Sequence, residues 1–492
     1  MEYYLHLRKL YKIAPLILTL LSIGRGMYFI RHLNQKLRFV VILLICSLSL
    51  SCVSYRAHPI SPSKNAHTLL ERSLSDQGLH QFLIQNHKDT SVWPPHSWDV
   101  EGLALAAFYY HPDMELARAQ KSSAQASIRT AKQRPNPTFS FTPERITNPS
   151  PGLSPWIHTF NLSVPIEIGG KRHFRLKQAQ SLALSTEYKV ATTAWKVRNR
   201  LELALLSLSS WKEKEELLQK RQVSLADYLG LLDQRIQSGM VSPLQITDSQ
   251  LLLDQLRLNL ADAQKQRHQA LADVAAALGI PMASLENVHF NFDAFNHFPA
   301  LKKNTFESFQ MLALTNRSDI LAGVAQYDAC QAALQLELAK RYPDINLGPG
   351  YQWSQGEKHW SLGFSLTLPL FNQNQGPIAE AKAHCEESAA QFNQLQASIV
   401  SDLDHAWIAY QDSLKNRQQA KDVLALQEKK LALLKNGKQG AEAVRNSLAA
   451  AELNVDTAHL LALDNQLNAQ KALLDLENVM QRPLQLGNKI EK

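Results

Sequence analysis

A chain of 492 residues with 45% apolar side chains, 19 glycines and 21 prolines can bury a large core, which excludes wholesale disorder. Its net charge of +8 is concentrated at the start, where residues 1–51 hold seven Lys or Arg and a single acid, Glu2. The near-neutral remainder has no electrostatic footprint for phosphate backbones, so nucleic acid is excluded as a partner.

The first apolar run, Ala14–Ile23, is too short to span a bilayer. The second, Phe39–Leu50, follows Arg31, Lys36 and Arg38 and leads into Ser51 and Cys52. A basic segment, a short apolar core and a small-residue exit describe a secretory signal over residues 1–51, with Met27 the expected start. Cys52 resembles a lipoprotein acylation site with Ser49 at the place usually held by Leu; ordinary cleavage nearby is the alternative. Residues 52–98 are expected to be an N-terminal periplasmic segment. No later run is long enough for a transmembrane helix.

Beyond residue 98 the chain is written twice. ALAAFYYHPDMELARAQ (Ala104–Gln120) matches QMLALTNRSDILAGVAQ (Gln310–Gln326), and RPNP (Arg134–Pro137) matches RYPD (Arg341–Asp344). LSVPI (Leu162–Ile166) matches LTLPL (Leu366–Leu370), and Pro281 matches Pro483, with every offset between 202 and 207. The predicted repeats are residues 99–285 and 305–485, with a linker at 286–304 and a tail at 486–492.

Within each repeat the apolar period switches from helix to strand and back. His158, Phe160, Leu162, Val164 and Ile166 alternate with polar residues, beside a weaker strand at Thr138–Glu144 that carries Pro143. In the second repeat Ile345, Leu347, Tyr351 and Trp353 alternate, as do Trp360, Leu362, Phe364, Leu366, Leu368 and Leu370. Each repeat therefore predicts a hairpin, about 138–167 and about 345–370, with strands approaching the ~9–11 residues that cross a bilayer as β-structure. Long helices follow. Lys171–Gln237 contains Gly230 and no other breaker, and would run about 100 Å. A turn at Ser238, Gly239, Met240, Val241, Ser242 and Pro243 returns the chain through Leu253, Leu256, Leu260 and Ala263. A second pair, Ile378–Lys435 and a return through Leu460, Leu463 and Leu467, turns at Asn436–Gly440, so that the expected tips are about 237–245 and about 435–445. Helices this long must pack on one another along a coiled-coil seam.

Four strands cannot close a barrel, since the smallest single-chain membrane barrels have about eight. An open sheet in lipid leaves backbone groups unpaired at several kcal/mol each. Hairpins in a membrane therefore require two or more copies sharing one barrel, and three would give about twelve strands. A soluble periplasmic sheet beside a coiled-coil stalk is the alternative.

The chain resembles the TolC-like outer membrane factors over about residues 99–485, on the duplicated plan, the HPD and RSD landmarks and the helical turn with Gly239, Ser242 and Pro243. The stretch Val164–Arg172 (VPIEIGGKR) and the stretch Leu368–Gly376 (LPLFNQNQG) are similar to those of the cobalt-zinc-cadmium efflux branch. The resemblance implies a mainly α fold with a periplasmic α-barrel and a trimeric twelve-stranded barrel in outer-membrane lipid. It implies no enzyme chemistry and no cofactor. The implied partners are two further copies, a periplasmic membrane-fusion adaptor and an inner-membrane RND-type pump, with divalent heavy-metal cations as cargo. Drug or protein export through the same architecture is the alternative. The adaptor contacts carry over to Ser238, Gly239, Val241, Ser242, Pro243, Asn436 and Gly437; Gln245 stands where an Asp is common, which puts an acidic aperture ring in doubt.

Pro165, Gly169, Gly170, Lys171, Arg172, Pro369 and Gly376 mark the expected transition from barrel to tunnel. Pro165 and Pro369 end strands, where a missing donor is tolerated, and Gly169, Gly170 and Gly376 permit the bend into a helix. Lys171, Arg172, His173, Arg175 and Lys177 read as a head-group anchor or a solvated face, since cations at a helix start oppose its dipole. Trp156, Trp353, Trp360 and Tyr351 suggest an aromatic girdle. Cys330 and Cys385 are expected as two packed free thiols, a pairing between them being the alternative. The seventeen histidines form no ligand-spaced cluster, so no metal site is expected.

Overall fold

The computed structural model describes Tyr55 and residues 57–88, 92–237, 243–296, 298–299, 305–436 and 443–484. Cys52, the signal region and the turns at 238–242 and 437–442 lie outside these. The chain divides into residues 1–66 and residues 67–492. The described part of the first unit leads into helix α1 (Pro62–Leu70). All that follows concerns the second.

Each repeat begins with two short helices and a strand hairpin, then runs into a long helical hairpin. The first has α3 (Val100–Tyr110), α4 (Pro112–Lys132), β1 (Thr138–Arg145), β2 (Trp156–Ile166), α5 (Lys171–Gln237) and α6 (Pro243–Leu278), preceded by α2 (Gln77–Gln85). The second has α7 (Thr305–Asn316), α8 (Ser318–Ala339), β3 (Ile345–Ser354), β4 (Glu357–Leu366), α9 (Gln375–Asn436) and α10 (Ala443–Met480). Local signals set the helix starts. His111 Nδ1 accepts from the Asp113 N–H at 3.2 Å, with Pro112 in the first turn of α4.

The duplication extends to the core. Leu103 and Ala107 of α3 pack with Leu201, Leu205, Val274 and Leu278, while Phe309, Ala313 and Ile320 pack with Ile399, Leu403, Tyr410, Leu473 and Leu476. Fully burying each such Leu contributes about 1.5–3 kcal/mol. Towards the tips Leu218, Leu256 and Ala263 close the expected seam against Leu225 and Leu460. The long helices lie side by side in the order α6–α5–α10–α9.

The four strands form one antiparallel sheet in the order β1-β2-β3-β4, joining the hairpins of both repeats through Phe160↔Tyr351 and its neighbours. Pro143 sits in edge strand β1, where a missing donor is cheap. Pro349 sits inside the sheet, and the β2–β3 ladder is interrupted beside it, between Asn161↔Gly350 and Val164↔Leu347.

The expectation of two free thiols is overturned: Cys330 of α8 and Cys385 of α9 form a disulfide, with Cα atoms 5.6 Å apart. Packing of α8 on α9 brings the two positions within bridging range, a register that neither helix's own period reveals. The bond closes a separation of 55 residues. Alkylation of the unreduced, denatured protein should therefore leave both cysteines unlabelled. Cys330→Ala should lower stability by about 2–4 kcal/mol, read as a fall in the Tm of the solubilised protein.

Candidate pore-forming sheet and barrel-to-tunnel junction

The strand registers place side chains in cross-strand rows. Phe141, Phe160, Tyr351 and Trp360 form one row across all four strands, with ring centroids 4.7, 6.2 and 4.8 Å apart. The same face carries Phe139, Leu162, Val164, Leu347, Leu362, Phe364 and Leu366. The opposite face carries Ser140, Thr142, Thr159, Asn161, Ser163, Asn346, Gly348, Gly350, Gln352, Ser361, Gly363 and Ser365, with Ile157 and Pro165 its apolar exceptions. Burial does not explain this sorting: Trp360, Leu362 and Phe364 are 82, 76 and 74% exposed. An apolar face turned outward and a polar face turned inward is the pattern of a barrel wall in lipid. Of the expected girdle residues, Trp156 and Trp353 stand towards the loop end, while Tyr351 and Trp360 lie further into the sheet. Strands β1 and β4 are edges, paired on one side only.

Where β2 gives way to α5 the chain turns on Gly169 and Gly170, at φ +72° and +76°. A Cβ at Gly169 would lie 3.2 Å from the Ala339 carbonyl oxygen, so both the left-handed backbone and the close approach demand glycine there. Pro165 pairs with Asn346 as the penultimate residue of β2, as expected.

The basic start of α5 is divided between paired and exposed cations. Lys171 is buried, and its ammonium meets the Asp344 carboxylate at 2.7 Å. The same Asp344 oxygen accepts from the Ile168 N–H at 3.4 Å, tying the bend to the start of β3. Arg175 holds Glu167 through two bonds of 2.7 and 3.3 Å and donates to the Ala131 and Gln133 carbonyls at 3.1 and 3.0 Å. Arg172 donates to the Lys132 carbonyl at 2.8 Å. These cations thus serve the negative end of α4 rather than opposing α5 alone. The Glu167 hydrogen bond, followed by its charge, raises the Arg175 guanidinium further above its ordinary value. His173 and Lys177 stay exposed.

The second junction is built differently. Gly376 was expected to make the bend, but Asn374 does so, at φ +64°, and Gly376 lies within helix α9. Asn tolerates this region because its short amide finds local partners. Here its Nδ2 donates to the Glu337 carbonyl at 2.7 Å and to the Glu337 carboxylate at 2.9 Å. Burial would raise the Glu337 carboxyl, yet the bonds from Lys340 and Asn374 outweigh it and hold the group below its usual range. Pro369 falls beyond β4, which ends at Leu366. Asp344, Glu167, Glu337 and Asn374 escaped the sequence reading, although Asn374 stands where the first repeat has Gly170.

Of the expected adaptor contacts, Ser238, Gly239, Val241, Ser242 and Gly437 fall outside the described residues. Pro243 and Asn436 are the terminal residues of α6 and α9. Among the described residues no group of three His, Cys, Asp or Glu could hold a metal ion.

A paired-hairpin sheet feeding long helical hairpins, written twice, defines a channel subunit. The outer membrane efflux protein family model matches residues 106–280 and 311–480, both repeats, and the chain belongs to that family. Outer membrane efflux factors form trimeric channels in tripartite efflux systems. The soluble-stalk alternative is thereby set aside, and the localisation is the outer membrane with a large periplasmic part. The cobalt-zinc-cadmium resistance protein CzcC of Cupriavidus metallidurans is 23% identical over 293 residues, 59% of this chain and 68% of that one. The pyoverdine export outer membrane protein OpmQ of Pseudomonas aeruginosa is 22% identical over 220 residues, 43% of this chain and 45% of that one. The outer membrane protein VceC of Vibrio cholerae matches with a TM-score of 0.63 at 17% identity, covering 78% of this chain and 96% of that one.

Two outcomes test the junction. Asp344→Ala leaves the Lys171 ammonium buried and should cost about 1–3 kcal/mol, while adding Lys171→Met to that variant should recover part of the loss. A depressed carboxyl contributes stability above the ordinary value of 4.5, lost as pH falls through the lower folded value. Glu337→Gln should therefore lower the Tm at neutral pH and flatten the acid limb of the Tm-against-pH profile, the two proteins converging as the pH falls.

Proposed function

We propose that three copies of this chain close one twelve-stranded barrel and one helical tunnel, forming the exit duct for divalent heavy-metal cations. The single observation that carries the assembly is a sheet with two unpaired edges and an exposed apolar face. The helices support it. The outer helices of the layer present apolar residues seven apart: Leu244, Leu251 and Leu258 on α6, Leu426 and Leu433 on α9. A seven-residue spacing is a coiled-coil seam awaiting a helix, and α9 of the next copy would supply one to α6. The cargo reading is supported by the likeness to CzcC and by the Val164–Arg172 and Leu368–Gly376 stretches. Export of an organic molecule is the second reading, favoured by the likeness to OpmQ.

In this proposal the duct is passive. An RND-type pump in the inner membrane supplies the energy, and a periplasmic membrane-fusion adaptor docks on the hairpin tips around Ser238–Pro243 and Asn436–Gly437. Cys52, if acylated, adds a lipid anchor.

Deleting the gene should sensitise cells to cobalt, zinc or cadmium, measured as growth inhibition; sensitivity confined to lipophilic drugs would move the cargo to the second reading. Glu at both Leu251 and Leu258 should abolish the SDS-resistant trimer while leaving the helical content of the chain intact by circular dichroism. Each seam Leu lost removes about 1.5–3 kcal/mol of burial per copy.

A further inference from the structure

Charge at the loop end of the sheet is sorted by face. Glu144 and Glu357 fall on the polar face, Arg145 and Lys358 on the apolar one. The linking residues 146–155 and 355–356 bear no charge, so they do not blur this separation. Arg145 and Lys358 are both exposed, and neither makes an ion pair among the described residues.

The two cations border an aromatic strip. The Arg145 guanidinium lies 5.9 Å from the centre of the Trp156 ring. Trp156, His158 and Trp353 are stacked across β2 and β3, with centroids 6.1 and 5.7 Å apart and planes within 7° and 19°. Lys358 is the direct cross-strand partner of Trp353. The His158 Nδ1 atom is buried and has no hydrogen-bond partner.

A cation on a lipid-facing wall belongs at the polar boundary, where its stem lies along apolar surface and its head reaches water or an anion. The long helices leave from the opposite end of the strands, so this boundary is the outward-facing one. Arg145 ends β1 and Lys358 is the second residue of β4, the two edges that neighbouring copies must join. Edge pairing sets Arg145 of one copy and Lys358 of the next at the loop ends of adjacent strands, whose axes lie roughly 5 Å apart. Two cations flanked by flat aromatic surface match an anionic head group with more than one phosphate carried on a ring.

We propose that Arg145, Lys358 and the Trp156–His158–Trp353 strip form a binding surface for phosphorylated glycolipid in the outer leaflet, completed at each boundary between copies. It rests on the trimeric barrel. The test is native mass spectrometry of the full-length detergent-solubilised protein, titrated with bisphosphorylated lipid A and separately with phosphatidylcholine. Wild type should keep lipid A adducts under collisional activation that strips phosphatidylcholine. The double variant Arg145→Gln, Lys358→Gln should lose lipid A retention at least tenfold while remaining trimeric. Glu144→Gln with Glu357→Gln, on the other face, should retain lipid A as wild type does. Equal retention by the cation variant and wild type, or phosphatidylcholine held as tightly as lipid A, overturns the proposal. A wild-type particle that is not trimeric overturns the barrel instead, and the boundary surface with it.

Discussion

Backbone hydrogen bonding in lipid is the constraint on which the rest depends. Every N–H and C=O that enters hydrocarbon without a partner costs several kcal/mol. With β1 and β4 paired on one side only, a lone chain placed in the membrane would forfeit on the order of tens of kcal/mol. No side-chain contact within one copy offsets a term of that size. Closure must come from other copies, and the physics requires only that the sheet become a cylinder; the number three belongs to the family.

The rest of the sequence is consistent with that requirement at several levels. Strand alternation puts Phe, Leu and Trp on one face and Ser, Thr, Asn and Gly on the other, which serves a wall between lipid and water and no soluble sheet. The helical layer repeats the logic, with Leu251 and Leu258 left exposed on one outer helix and Leu426 and Leu433 on the other. Between the two layers, each strand must become a helix without exposing its backbone. Gly169 and Gly170 solve this in the first repeat, braced by Lys171–Asp344 and Arg175–Glu167, whereas Asn374 solves it in the second by binding Glu337.

Much of this was legible in the sequence because it is periodic. The two-residue alternation of Trp360–Leu366, the breaker-free run from Lys171 to Gln237 and the near-constant offset between repeats each report a local rule that the fold obeys. What escaped was non-periodic and non-local. Lys171 and Asp344 are separated by 173 residues, so a cation that looks misplaced at a helix start acquires its partner only once β3 lies beside β2. The Cys330–Cys385 bond depends in the same way on how α8 sits against α9. The bend at Asn374 was missed because glycine is the usual sign of a left-handed residue, and Gly376 lay close enough to attract the assignment.

The most direct measurement of the central claim is covalent capture of the missing strand contact. Pairs of cysteines, one at Thr138, Ser140 or Thr142 of β1 and one at Ser361, Gly363 or Ser365 of β4, would be oxidised in intact outer membranes. Pairing of the edges between copies predicts a denaturant-resistant, reductant-sensitive ladder ending at three chains for the pairs in register. Monomer alone, across every pair, would contradict it.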